Sequence, residues 1–223
     1  MNKDKKVVIF DICGTLYNSN TTFDFLSYSF SNKRIFRYFS NLYKSFVWKA
    51  INKILRDYLH FDLTRKIALL FLKGIERKQL YQMVEWYYDG FLKSKENSEI
   101  INRLRSYLSD SENRVILLSA TIDPVAKIIS RSLGCVEFYS TELEYEDGIC
   151  EGRIRQDLLG GKITVLHSLG ITDRVDDFYT DDFSDDKVLD IAKQKHIIVY
   201  EKYRKRWENI IKKKQWQVEI IRM

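Results

Sequence analysis

The chain has 223 residues, 45% of them apolar and 30% charged, with a single proline. That length suits one large domain, or one domain carrying an insertion, and that composition excludes collagen, low complexity and wholesale disorder. Lys and Arg number 37 against 31 Asp and Glu, a surplus that permits an anionic partner without requiring one.

The chain opens on charge, with Lys3, Asp4, Lys5 and Lys6. The apolar run behind them is Val7 to Phe10, too short for the apolar region of a signal peptide. Val7-Val8-Ile9-Phe10 predicts a strand buried on both faces, as in parallel sheets. It runs into Asp11-Ile12-Cys13-Gly14-Thr15, a carboxylate and a glycine where open α/β sheets place their chemistry. Residues 20–95 carry no strand signal. Ile35, Phe36, Phe39, Leu42, Tyr43, Phe46, Val47, Ala50, Ile51, Ile54 and Leu55 recur at steps of three and four, which predicts one amphipathic helix. Further helical patterns follow over 62–73, 77–93 and 98–109.

Arg114 to Ser119, around Val115-Ile116-Leu117-Leu118, predicts a second buried strand. Asp123-Pro124 predicts a helix start, with the aspartate as cap. Val136 to Tyr139 predicts a short strand, and 143–154 a hairpin turning at Asp147-Gly148. Helices are expected over 162–169, 184–194 and 203–213, and strands over 176–180, 197–200 and 216–221. Strands alternating with helices predict an α/β fold: a three-layer Rossmann-like core with a parallel sheet. Residues 1–17 and 97–223 form that core, and 18–96 form an inserted all-helical cap over the carboxyl ends of the strands. Cys13, Cys135 and Cys150 make no Cys-x-x-Cys and cannot all pair, which predicts a reducing compartment and a cytoplasmic location. No run of 18 apolar residues occurs, so no membrane span is expected.

Four segments in order carry a family resemblance. Val7 to Thr15, a strand running into Asp-x-x-Gly-Thr, resembles the first motif of the haloacid dehalogenase superfamily. Ile116-Leu117-Leu118-Ser119-Ala120-Thr121 resembles its second motif, and Gly160-Gly161-Lys162 its third. Phe178 to Asp185 resembles the acidic fourth motif, with Asp181 and Asp185 as the paired carboxylates and Thr180 where glycine is commoner. The insertion between the first two motifs, and Thr141 to Gly148 before the lysine, look most like the phosphoserine-phosphatase-like branch.

The resemblance implies a Mg²⁺-dependent phosphomonoester phosphatase acting on a small phosphorylated substrate. By that resemblance Asp11 is the nucleophile and forms an aspartyl-phosphate. Mg²⁺ is held by Asp11, the backbone carbonyl of Cys13, Asp181 and Asp185, with Asp185 also placed to orient Lys162. Gly14, Thr15, Ser119, Ala120 and Lys162 hold the phosphate, and Ser119 and Lys162 join the catalytic set. The family's phosphatases carry a second aspartate, the general acid and base, two residues after the nucleophile. Here that position is Cys13, a thiol that holds a proton to give but is a poor base. Three readings stay open: a slow or specialised phosphatase, a different leaving-group chemistry, or a catalytically impaired phosphate-binding or regulatory protein.

From Phe25 to Arg56 there are basic residues at 33, 34, 37, 44, 49, 53 and 56, no acidic ones, and aromatics at 25, 28, 30, 36, 38, 39, 43, 46 and 48. A packed cap helix with a solvated basic face explains this; so does a surface that touches anionic lipid or a lipid-linked phosphate. The basic tail from Lys202 to Lys214 is compatible with the second. No nucleic-acid recognition module appears, which argues against that partner. His60, His167 and His196 have no metal-ligand spacing and are expected to be structural.

Overall fold

A computed structural model describes residues 5–59 and 62–223; Lys3, Asp4 and His60 lie outside them. Seven strands form one sheet in the order β4-β3-β2-β1-β5-β6-β7. They are β1 (Lys6–Phe10), β2 (Asn113–Ile122), β3 (Glu137–Glu146), β4 (Ile149–Gln156), β5 (Val175–Thr180), β6 (Ala192–Val199) and β7 (Glu219–Arg222). Every neighbouring pair is parallel except β3 with β4. β1 is central, and the strand order reverses beside it, between β2 on one side and β5 on the other. That reversal opens a crevice at the carboxyl ends of β1 and β5, where such sheets bind ligands.

The all-apolar strands are buried on both faces because each face meets helices. On one face Val8, Phe10, Val115 and Leu117 join a core with the helices between β1 and β2 and with α7 (Asp123–Leu133). Those helices are α1 (Thr21–Phe30), α2 (Arg34–Lys44), α3 (Phe46–Leu59), α4 (Leu63–Leu69), α5 (Arg77–Gly90) and α6 (Ser98–Leu108). On the other face Ile9, Ile116, Leu118 and Phe178 pack against α8 (Lys162–Ser168), α9 (Asp186–Ile191) and α10 (Arg204–Lys214). The period of two along each strand thus divides its side chains between the two cores of a three-layer α/β fold.

The inserted helices are tied to the β3–β4 hairpin. Gly74 N–H donates to the Cys150 carbonyl (2.8 Å), Cys150 N–H to Ile75 (2.9 Å) and Arg77 N–H to Gly148 (2.8 Å). Arg65 on α4 is buried and makes a second tie. Its guanidinium reaches Asp157 Oδ1 at 2.6 Å, the Ala120 carbonyl at 2.6 Å and Thr141 Oγ1 at 2.8 Å.

Four expectations need correction. The single helix expected over 35–55 is two, because Ser45 is extended (φ −66°, ψ 152°) and its hydroxyl caps the next helix by accepting Trp48 N–H at 3.3 Å. Asp123 does not cap α7; its carboxylate accepts Leu143 N–H at 3.0 Å. The short strand over 136–139 and the first arm of the hairpin are one strand, β3. The helix expected over 184–194 stops at Ile191, and β6 begins at Ala192. The first half of β6 is polar, so no apolar run marks it; pairing of Ala192, Gln194 and Lys195 with β5 makes it a strand.

Candidate active site

Asp11 follows β1 directly, and its N–H donates to the Tyr179 carbonyl of β5 at 2.9 Å. That bond holds the carboxylate at the crevice, 3% exposed. Lys162 opens α8, its ammonium 3.0 Å from Asp11 Oδ1 and 2.7 Å from Asp185 Oδ2. Gly160 just before it has φ +71°, which favours glycine at that turn. Asp185 Oδ2 also accepts the Thr180 hydroxyl at 2.6 Å, and Thr180 Oγ1 accepts Asp182 N–H at 3.0 Å. The threonine where glycine is commoner therefore clamps the acidic turn. Thr15 Oγ1 accepts Asp181 N–H at 3.0 Å and lies 3.4 Å from Asp181 Oδ1, tying the β1 and β5 ends together.

Gly14 has φ +68°, and a Cβ there would overlap the Asp181 carboxylate, so that carboxylate rests on the backbone beside Cys13. Tyr200 Oη donates to the Gly14 carbonyl at 2.8 Å. Ser119 is fully buried in β2, where its Oγ accepts Thr121 N–H at 3.4 Å. The next residue, Ala120, gives its carbonyl to Arg65. Cys13 Sγ lies 2.8 Å from Thr21 Oγ1, and Thr21 pairs with Thr121 at 2.5 Å. The thiol thus meets a hydroxyl from α1, which is itself held by a hydroxyl from β2.

The electrostatics follow from burial and crowding. Burial pushes the Asp11 carboxyl up, Lys162 offsets this, and the Asp182 charge adds to it. Burial, then the charges of Asp11 and Asp182, hold Asp181 well above the usual carboxylate range. Burial alone would lower Lys162; Asp11 and Asp185 outweigh it and keep the ammonium charged. Burial and then the Asp11 charge push the Cys13 thiol up to about 11, so it stays protonated at neutral pH.

A cleft of about 620 Å³ opens at this end of the sheet, lined by Cys13, Gly14, Ser19, Asp24, Asp181, Asp182, Tyr200, Lys202 and Arg206 among others. Asp11, Ser119 and Lys162 are buried and do not line it. Among the described residues no three His, Cys, Asp or Glu side chains stand close enough to hold a metal by themselves. Mg²⁺ asks for less: one or two carboxylates, with waters and substrate oxygens completing its shell. Asp11 Oδ1, buried with no aligned hydrogen-bond donor, and the crowded Asp181 fit that demand. Asp185, expected at the metal, is taken up by Lys162 and Thr180.

The structure thus brings Asp11, Thr15, Lys162, Asp181 and Asp185 into one connected group, with Cys13 and Gly14 on the cleft wall. Sequence reasoning missed Arg65, Thr21, Thr121, Tyr200 and Asp24. Only Thr121 had a signal, as the residue ending the second motif.

A family profile described as haloacid dehalogenase-like hydrolase matches residues 8–189. The chain belongs to that family. Among solved structures, a protein of unknown function from Bordetella pertussis Tohama I superposes with a TM-score of 0.71 at 20% identity, over 96% of this chain and 98% of that one. A phospho-aspartyl intermediate analogue of phosphoserine phosphatase gives 0.59 at 16%, over 98% and 94%. Cytosolic 5'-nucleotidase IIIB bound to cytidine gives 0.64 at 9%, over 97% and 80%. At these identities the superpositions show the shared fold. No curated protein matches. The Rossmann-like α/β core expected from the alternation of strands and helices stands.

Proposed function

We propose that this hydrolase is a Mg²⁺-dependent phosphomonoester phosphatase in which Asp11 takes the phosphoryl group. The observation that carries the reading is Lys162, held between Asp11 and Asp185 at 3.0 and 2.7 Å beneath a cleft walled by Asp181 and Asp182. A carboxylate attacking an anionic phosphate needs positive charge beside it, and Lys162 is a buried, charged cation in contact with the nucleophile. Mg²⁺ bound by Asp11, Asp181 and the main chain of residue 13 would supply the remaining neutralisation. Ser119 is assigned to a phosphate oxygen, and Gly14, Thr15 and Ala120 to the loop backbone around it. Asp185 holds Lys162 in place and is a positioning residue.

Cys13 shapes the kinetics. A thiol with a pKa near 11 can protonate a leaving alkoxide but cannot deprotonate water for the second step. Good leaving groups need no acid, so Asp11 should be phosphorylated readily and discharged slowly. The missing base is worth roughly 10²–10⁴-fold, about 3–5 kcal/mol. The helices between β1 and β2 are assigned the role of a cap that selects the substrate. The three free cysteines fit a reducing, cytoplasmic setting.

The test is phosphate release from a panel of phosphomonoesters with Mg²⁺ or with chelator. The native chain should release phosphate only with Mg²⁺, and Asp11→Asn should be silent. Native silence with activity in Cys13→Asp would favour the impaired-protein reading, an intact phosphate site in a binding protein. Activity surviving in Asp11→Asn would overturn both.

A further inference from the structure

Helices α2 and α3 carry two apolar faces. The inner one is packed: Phe36 and Phe39 are buried, with ring centroids 5.0 and 5.8 Å from Phe71, and Trp48 lies 6.5 Å from Phe39. The outer one is bare. Ile35, Tyr38 and Leu42 follow each other at steps of three and four on α2, and Val47, Ile51 and Ile54 do so on α3. All six are exposed, and Phe46 at the junction is 86% exposed. Single apolar residues on a surface need no explanation, but seven exposed large ones at helical spacing on two successive helices mark an interaction site.

The described charged side chains of α2, and of α3 as far as Ile54, are all basic. Lys33, Arg34, Arg37, Lys44 and Lys49 are exposed, and none forms a salt bridge with a described residue; Lys33 and Lys44 lie over the rings of Phe30 and Tyr43. Elsewhere exposed arginines find carboxylates, as in Arg153 with Glu144 and Arg204 with Glu208.

We propose that the outer face of α2 and α3 docks on an anionic membrane surface, with both helices lying in the interface. An apolar stripe with a basic surround is the pattern of an interfacial helix: the apolar side chains enter the headgroup boundary and the cations meet acidic lipid. Charge argues against the other occupant, a second copy of the chain. A symmetric contact would set these exposed cations, Lys33, Arg34, Arg37, Lys44 and Lys49, against their own copies. The helices are 11 and 14 residues long, shorter than the roughly 20 a span requires, and no helix of the described residues is long and apolar enough to cross a membrane. The docked face lies one helix from the cleft. Tyr43 is 5.9 Å from Phe23 of α1, and Asp24 beside Phe23 lines the cleft. The inference is independent of the phosphate chemistry.

Co-sedimentation of the full chain with vesicles of phosphatidylcholine, with and without phosphatidylglycerol, tests it. Binding is expected to the anionic vesicles alone and should weaken as salt rises. Two variants separate the contributions. Phe46→Ser/Val47→Ser/Ile51→Ser should bind at least about tenfold more weakly. Arg34→Gln/Arg37→Gln/Lys44→Gln/Lys49→Gln should do the same, and it alters only exposed side chains, so it remains informative if the first variant fails to fold. A native chain that stays in the supernatant with anionic vesicles at low salt overturns the proposal. If that chain also runs as a dimer whose association the apolar variant abolishes, the face is a contact between copies. Binding that neither folded variant weakens overturns it as well.

Discussion

Asp181 stands in an unfavourable place for a carboxylate. It is pressed against the Gly14 backbone, and burial first, then the charges of Asp11 and Asp182, raise its pKa well beyond the usual range. Folding therefore works against its charged form, and this contribution to stability falls as pH rises from the ordinary carboxylate pKa up through the raised folded one. Asp181→Asn removes the crowded charge. In chelator at neutral pH it should melt about 2–4 °C above the native chain, roughly 1 kcal/mol for a protein of this size. Added Mg²⁺ should stabilise the native chain and narrow the gap, since binding to the folded state stabilises it. A variant that melts lower in chelator would show that Asp181 is not strained by its neighbours. Asp11 was marked in the sequence by its place after the apolar run Val7 to Phe10, and Ser119, Lys162, Asp181 and Asp185 by the resemblance to the family's later motifs. Arg65 was not: its partners Ala120, Thr141 and Asp157 are 55, 76 and 92 positions away, and nothing local marks that contact. Thr21, opposite Cys13, depends on Thr121 100 positions on and was equally hidden.

At the scale of elements, β5, β6 and β7 are joined by a side-chain network as well as by the backbone ladder. His196 on β6 bridges Asp177 Oδ1 (2.7 Å) and Glu219 Oε2 (2.6 Å), and its ring stacks on Tyr179 at 4.0 Å. Arg103 from α6 grips both oxygens of Glu219, and Lys6 lies 2.7 Å from Asp177. The expected structural role of His196 fits this network. Arg103 first, and His196 after burial is set against it, hold Glu219 down at about 2. A lowered carboxylate pKa stabilises the fold above its unfolded value, near 4.5, and that stability is lost as pH falls toward 2. Glu219→Gln should therefore melt below the native chain at neutral pH, and the two melting curves should converge over that acid window. A difference that stays constant with pH would mean that Glu219 acts through packing alone. The first half of β6, Ala192 to Lys195, gave no strand pattern in the sequence because its pairing with β5 sets it, not local apolar alternation.

At the scale of the molecule, the parallel α/β class was legible in the alternation of strands and helices, but the strand order was not, because it rests on long-range pairings such as β1 with β5. The inserted helices were legible as helical but not in their exposure. One amphipathic period was read where two helices, broken at Ser45, carry apolar residues on opposite faces. Periodicity names a face without saying which neighbour covers it. The central claim is that Asp11 becomes phosphorylated and that Cys13 leaves the phosphoryl group there. Acid-quenched peptide mass spectrometry after brief exposure to p-nitrophenyl phosphate and Mg²⁺ tests it directly. The account predicts a phosphoryl label on the Asp11 peptide of the native chain. In Cys13→Asp that label should be largely lost while turnover rises by roughly 10²–10⁴-fold. An unlabelled Asp11 peptide in a native chain that releases phosphate, with release persisting in Asp11→Asn, would contradict it.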